Sequence, residues 1–371
     1  MNDNLKYKIA LTLIPGIGSV LAKNLVSYCG SAEAVFHENE KKLVKIPDIG
    51  TVLASQIINK KEEALERAEE ECRFVFKNNI GYLFYTDKEY PQRLKSCIDS
   101  PPVIFYRGNI NFNQSKTIAI VGTRNATEYG KNFCDQLIDE LKMYSDLIIF
   151  SGLAYGIDIT AHKAALRNNI STVGVLAHGL DRLYPPEHKS TASKMCENGG
   201  LLTEFISGTN PDRENFPKRN RIVAGICDAV IVIEAAKKGG ALITAGIANS
   251  YNRDVFALPG RVNDTYSEGC NHFIKTNQAD VITSAADLEY KMGWEKTETT
   301  VKTKNLQRQL MLELLPEEQL IVSFLNANGK QNIDSINLSA GLQASKVAST
   351  LLTLEFKGIV KSLPGKIFEL V

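Results

Sequence analysis

The segment Phe216-Pro217-Lys218-Arg219-Asn220-Arg221 places three cations and an amide within four consecutive residues, directly ahead of an apolar stretch. Guanidinium forks match the oxygens of a phosphate in a bidentate fashion. Phe216 adds a ring on which a nucleobase can stack. A solvated helix start paired with Asp212 and Glu214 is the competing reading. Placement weighs against it, because cations near a helix N-terminus oppose the helix dipole unless an anion is present.

Three glycine-bearing turns point to the same chemistry. Gly122-Thr123-Arg124 follows the apolar run 118–121; the glycine permits a tight turn and the arginine can reach an anion at the next helix start. A plain turn with a surface arginine stays open for this segment alone. Ser151-Gly152 follows the run 147–150, and Gly156 precedes a helix carrying His162 and Lys163. Such a turn can present several N–H groups to one phosphate. Asp158 is placed to cap that helix and His162, one turn on, to pair with it. Gly239-Gly240 opens an apolar helix after the run 229–233. Together with Pro259-Gly260-Arg261, these turns are expected to converge at the carboxyl edge of a sheet, the usual ligand crevice of open α/β folds.

Templates for catalysis fail. The chain has no G-x-G-x-x-G, no G-x-x-x-x-G-K-[ST], no G-x-S-x-G and no H-E-x-x-H. His37, His162, His178, His188 and His272 show no metal-ligand spacing. Whether Asp181, Glu204 and Glu234 pair in space is left open by the sequence. No catalytic residue, metal or cofactor is expected, and the chain reads as a binding protein rather than an enzyme.

The elements that must position these residues follow from the apolar pattern. Ile- and Val-rich runs at 118–121, 147–150, 172–176, 201–203, 229–233 and 255–258 alternate with helical segments. Near-continuous apolar strands separated by helices indicate a mostly parallel sheet covered on both faces. Residues 116–285 therefore read as a Rossmann-like α/β domain. Residues 1–75 read as a helical domain of the helix-hairpin-helix, SAM-like kind, with turns at Pro15-Gly16-Ile17-Gly18 and Ile46-Pro47-Asp48-Ile49-Gly50. Residues 76–115 read as a connecting segment with one short strand near Tyr82. The polar stretch 286–310 is the linker, and 311–371 read as three helices and a hairpin, a winged helix. Its recognition helix, 343–352, carries Lys346 as its one basic residue, which suits protein contact or weak duplex contact better than sequence-specific readout.

Composition sets the bounds. Among 371 residues, 44% are hydrophobic and 23% charged, which excludes a wholly disordered chain. The formal net charge of +1 does not exclude a polyanion, because phosphate sites depend on local arrangement. Seven cysteines, odd in number and widely spaced, argue against a disulfide framework. No uninterrupted apolar run is long enough to span a membrane, so membrane insertion is not expected and the cytoplasm is the default compartment.

Long motifs in a fixed order carry a family likeness: IAIVGTRNATEYG (118–130), SGLAYGIDITAHKAAL (151–166), TVGVLAHGLDRLYPPEH (172–188), FPKRNRIVAG (216–225), GGALITA (239–245) and VFALPGRVNDTYSEGCNHFI (255–274). In these segments the chain resembles the DNA-processing protein A (Smf) family across nearly its full length. The resemblance implies a protein of natural transformation that binds incoming single-stranded DNA, protects it, loads the RecA recombinase and dimerises through the Rossmann-like domain. The family's glycine-serine-arginine phosphate motif falls on Gly122, Thr123 and Arg124, with threonine keeping the hydroxyl. The α/β domain is also similar to the nucleotide-processing Lonely Guy group. There the segment Gly239–Thr244 departs from the group's pattern by lacking its proline and glutamate.

Overall fold

The Ile- and Val-rich runs form the strands of one sheet in a computed structural model that describes residues 3–294, 314–363 and 366–370. The chain divides into two compact units, 1–298 and 299–371. In the first unit the strands are β1 (Gly81–Phe84), β2 (Val103–Asn109), β3 (Lys116–Val121), β4 (Leu147–Ser151) and β5 (Ser171–Val175). They continue with β6 (Gly199–Thr203), β7 (Ala229–Val232), β8 (Asp254–Ala257) and β9 (Asp280–Val281).

The spatial order is β1-β2-β6-β5-β4-β3-β7-β8-β9. All pairings from β6 to β9 are parallel, whereas β1 with β2 and β2 with β6 are antiparallel. The chain steps outward from β3 to β6 and then returns to place β7 on the other side of β3. The order therefore reverses between β3 and β7, and that switch point leaves a crevice outside the strand carboxyl ends.

Residues 76–115 do more than connect: they contribute β1 and β2 to the sheet. Only the first half of β2 is buried, so its apolar run, Val103–Tyr106, is short, follows two prolines and gives way to polar residues within the strand.

The helical region packs as part of this unit. Helices Asp3–Leu13 and Ser19–Cys29 flank the first glycine turn, and the second turn leads into a 27-residue helix, Thr51–Lys77. One apolar cluster runs from Leu5 and Ile9 through Ile57 and Val75 to Phe105, Leu176 and Leu201. Buried Glu71 adds a polar tie by accepting the Ser207 N–H at 2.9 Å. Two further clusters cover opposite faces of the sheet, one centred on Phe150 and Val232 and the other on Ile149 and Ile231. Cys72, Cys97, Cys134, Cys227 and Cys270 are buried, and all seven cysteines are free thiols.

Of the linker expected at 286–310, the first residues complete a helix, Ala285–Met292, held by a Ser284–Asp287 capping box; residues 295–310 lie outside those described. The second unit contains helices Pro316–Asn328, Ile333–Ala340 and Ala344–Phe356. A three-stranded antiparallel sheet follows, formed by β10 (Gln331–Asn332), β11 (Val360–Leu363) and β12 (Ile367–Leu370). Ile321, Leu325, Ile336, Val347, Leu351 and Leu354 form its own core. This is the winged-helix arrangement. Among the described residues no helix is long and apolar enough to cross a membrane.

Candidate nucleic-acid interface

The three glycine turns singled out in the sequence meet the basic segment at the switch point. They line a cavity of about 260 Å³. Gly122, Thr123 and Arg124 enter from the end of β3, Gly152 from β4, Phe216, Arg219 and Asn220 from one helix, and Gly239 and Gly240 from the turn after β7. The Pro259 turn does not join them. Pro259-Gly260-Arg261 opens on a neighbouring cavity with Tyr129 and Glu234. It is held there by the Tyr129 hydroxyl, which donates to the Pro259 carbonyl at 2.7 Å, and by Asn271, which accepts the Gly260 N–H at 3.1 Å.

The glycines have two distinct jobs. A Cβ on Gly122 would strike the Ile157 side chain, one on Gly152 the Arg219 guanidinium, and one on Gly156 the backbone of Thr123 and Arg124. Gly156 also has φ +76°, where L-residues are strained. These three let the loops close on one another. A Cβ on Gly240 would meet nothing within 4 Å. That glycine begins the 11-residue helix Gly240–Ser250, whose N-cap Gly239 supplies no side-chain cap. The helix start lines the cavity, and the first turn of a helix is where free backbone N–H groups can meet an anion.

The basic segment separates once folded. It lies inside helix Asn215–Gly225 rather than ahead of a helix. Successive residues turn by about 100° in a helix, so neighbouring cations point different ways. Arg219 turns inward and is buried. Its Nη1 donates to the carbonyls of Gly152 and Val175, each at 2.6 Å, and its Nε to Asn220 Oδ1 at 3.1 Å. Burial lowers its pKa, opposed by the charge of Asp158. Arg221 turns away to ion-pair with Glu204 and to donate to the Asp99 carbonyl. Lys218 is exposed, 3.9 Å from Glu214, and borders a different cavity beside the first helix-hairpin turn. Phe216 is half-buried, with Arg124 5.2 Å and Arg219 5.9 Å from its ring centroid.

Arg124 is the exposed cation at this cavity, and among the described residues it makes no ion pair with a carboxylate. Magnitudes rank the contributors. A charge-assisted hydrogen bond is worth roughly 1.5–3 kcal/mol, against about 0.3–1 kcal/mol for a helix terminus in open surroundings. Arg124 therefore dominates what this crevice offers an anion, and the Gly240 helix start orients it.

Other expected residues stand behind the crevice rather than in it. The Ser151 hydroxyl is buried and donates to the Ile120 carbonyl at 2.6 Å. Lys163 is exposed but does not line the cavity. His162 does not pair with Asp158. The Asp158 carboxylate turns back to accept the N–H groups of Gly152 at 3.1 Å and Ala154 at 3.4 Å, while His162 Nδ1 meets Thr172 Oγ1 at 2.7 Å. The Thr172 hydroxyl donates to the Ile149 carbonyl at 3.0 Å, so His162 carries its proton on Nδ1. Burial pushes the His162 pKa down to about 3. Burial likewise raises that of Asp158, against the pull of Arg219.

The three acids left open in the sequence have separate partners. Glu234 accepts the Thr127 N–H at 2.8 Å and its hydroxyl at 2.5 Å. Asp181 pairs with Arg182 at 2.9 Å, and Glu204 with Arg221. Nothing in the spacing of Tyr184 singled it out. The structure brings its ring to 6.4 Å from that of Phe216, which lines the cavity.

Fold and crevice define a doubly wound α/β protein with its site at the switch point, flanked by helix-hairpin-helix and winged-helix modules. Family models match each part: the DNA recombination-mediator protein A at residues 81–293, a SAM-like helix-hairpin-helix tandem at 8–60 and the DprA winged helix domain at 309–366. Protein Smf of Synechocystis sp. is 31% identical, with 99% of each chain covered. The X-ray structure of DNA processing protein A from Streptococcus pneumoniae matches with a TM-score of 0.66 and 31% identity, covering 77% of this chain and 97% of that one. A Helicobacter pylori DNA processing protein A structure, described for its single-stranded DNA binding mode, matches with a TM-score of 0.52 and 28% identity over 57% and 95%. The chain belongs to the DNA-processing protein A (Smf) family.

Proposed function

We propose that the chain binds single-stranded DNA, holding a phosphate in the switch-point crevice. The observation that carries this reading is the convergence of three glycine turns and the helix of the basic segment on one cavity where Arg124 is exposed beside an uncapped helix start. The single-stranded DNA binding of the Helicobacter pylori relative supports it. Gly122, Thr123, Gly152, Gly239 and Gly240 shape the crevice, Asn220 and Phe216 border it, and Arg219 supplies buried positive charge beneath it. Ser151, Gly156 and His162 hold its loops from behind. Lys218 and Lys163 lie outside it and act on neighbouring phosphates. Arg221, turned to Glu204, fixes the helix.

In the cell this binding serves natural transformation: incoming strands are protected and RecA is loaded on them. The chain works as a cytoplasmic homodimer joined through the α/β domain, 116–285, with the helical region 1–75 packed on that domain and a winged helix at 311–371. Binding rather than catalysis fits the acids near the crevice, since Glu234 is engaged with Thr127 and Asp158 lies buried under the loops.

The test is anisotropy titration of a labelled single strand over a range of salt. The logarithm of the affinity should fall linearly with log salt, with a slope of about −0.7 per neutralised phosphate. Arg124→Ala should make that slope shallower by about one phosphate. Salt-independent binding, or an unchanged slope in the variant, would overturn the reading.

A further inference from the structure

Phe216 is the aromatic nearest Arg124, yet two guanidinium groups already lie within cation–π reach of its ring. A base stacking there has to share the ring with Arg124 or displace it. The neighbouring aromatic, Tyr184, is differently placed. It is 40% exposed and meets Phe216 at an interplanar angle of 68°. An edge-to-face contact occupies at most one face of either ring, and at 40% exposure Tyr184 keeps ring surface open to a ligand.

Tyr184 is also firmly held. Its backbone N–H donates to His178 Nε2 at 3.2 Å. His178 is buried, and its Nδ1 bonds to the Gly179 carbonyl at 2.8 Å. Nδ1 therefore carries the proton and Nε2 is free to accept. Burial lowers the His178 pKa, which keeps this tautomer neutral. Four residues beyond Tyr184, His188 Nδ1 anchors the same loop to the Leu153 carbonyl at 2.9 Å. A pre-positioned ring loses little conformational freedom when a ligand stacks on it.

We propose that Tyr184 is a base-stacking residue: its open face takes a nucleobase of the strand whose phosphate lies beside Arg124. The inference rests on the single-stranded DNA reading and extends it from the phosphate to the base. The ring lies at most about 12 Å from the Arg124 guanidinium, the two separations through Phe216 taken end to end. Stacking tolerates any base, because each has a π-face. The site is therefore expected to be indifferent to sequence.

The experiment uses the full chain and two labelled oligonucleotides of equal length, one of thymidines and one abasic. Tyr184→Ala should weaken thymidine-strand binding about 5- to 100-fold, leave the abasic strand unaffected and keep the salt slope. Tyr184→Phe should bind both strands within about twofold of the wild type, since the ring is retained. Unchanged thymidine-strand affinity in a folded Tyr184→Ala protein would overturn the proposal. Equal weakening on both strands would also overturn it, by assigning Tyr184 to loop structure. If Arg124→Ala weakens both strands while Tyr184→Ala weakens neither, the phosphate reading survives and only this inference falls. A wild type that binds neither strand defeats both.

Discussion

The switch-point crevice and the winged helix both present a helix to solvent, but they offer a ligand opposite things. At the crevice, helix Gly240–Ser250 starts without a side-chain cap, beside a guanidinium with no carboxylate partner among the described residues. In the winged helix, Lys346 of helix Ala344–Phe356 is 2.9 Å from Glu317, and Leu352 and Phe356 stand 54% and 85% exposed one turn apart. One surface has positive potential and N–H donors waiting for a partner. The other has neutralised its charge and left apolar area open, which suits a protein partner better than a nucleic acid. What separates them is the pairing of the cations, not their number in the sequence.

Breaking the crevice should have the largest effect. Arg124→Ala combined with Lys218→Ala is expected to weaken single-strand binding about 100-fold or more, from two lost charge-assisted contacts, with thermal unfolding unchanged. Retained affinity would place the DNA elsewhere. The two kinds of glycine give a sharper contrast. Gly152→Ala drives a methyl into the Arg219 guanidinium, and should cost about 1–3 kcal/mol of stability together with binding. Gly240→Ala meets open space and should leave stability within about 0.5 kcal/mol while obstructing the anion site. Equal melting losses in the two variants would contradict the division of roles.

A pH experiment probes the support behind the crevice. The His162 pKa is depressed to about 3 in the folded chain, from an ordinary 6.5. Below 6.5 the unfolded chain takes up a proton that the folded one refuses. The contribution of His162 is thus fully present above that value and is lost as pH falls towards 3, by up to about 1.4 kcal/mol per pH unit. His162→Asn, compared with wild type by urea unfolding from pH 7 to 5, should lack this acid limb. Parallel stability curves would refute it. The smallest effect is expected from the winged helix. Deleting residues 305–371 should change single-strand affinity less than about threefold, and a tenfold loss would show that the comparison has the roles wrong.

Much of the fold was legible because parallel strands buried on both faces need continuous apolar runs, and 118–121 or 229–233 cannot be solvated without cost. β2 escaped because its outer half is only partly covered. The meeting of the three glycine turns was legible too, since strand carboxyl ends and following glycines share one edge of such a sheet. The direction of each cation was not. Lys218, Arg219 and Arg221 are neighbours in sequence, but helical geometry sends one to solvent, one beneath the crevice and one to Glu204. Tyr184 was silent for a related reason: its place beside Phe216 depends on how the loop after β5 folds back, and no local spacing encodes that.

The most direct test is a crystal structure of the chain with a short single-stranded oligonucleotide. A phosphate is predicted in the crevice, within hydrogen-bonding distance of the Arg124 guanidinium and the backbone N–H groups at Gly240. A well-ordered strand bound elsewhere, with Arg124 still resting on Phe216 and no phosphate in the crevice, would contradict the account.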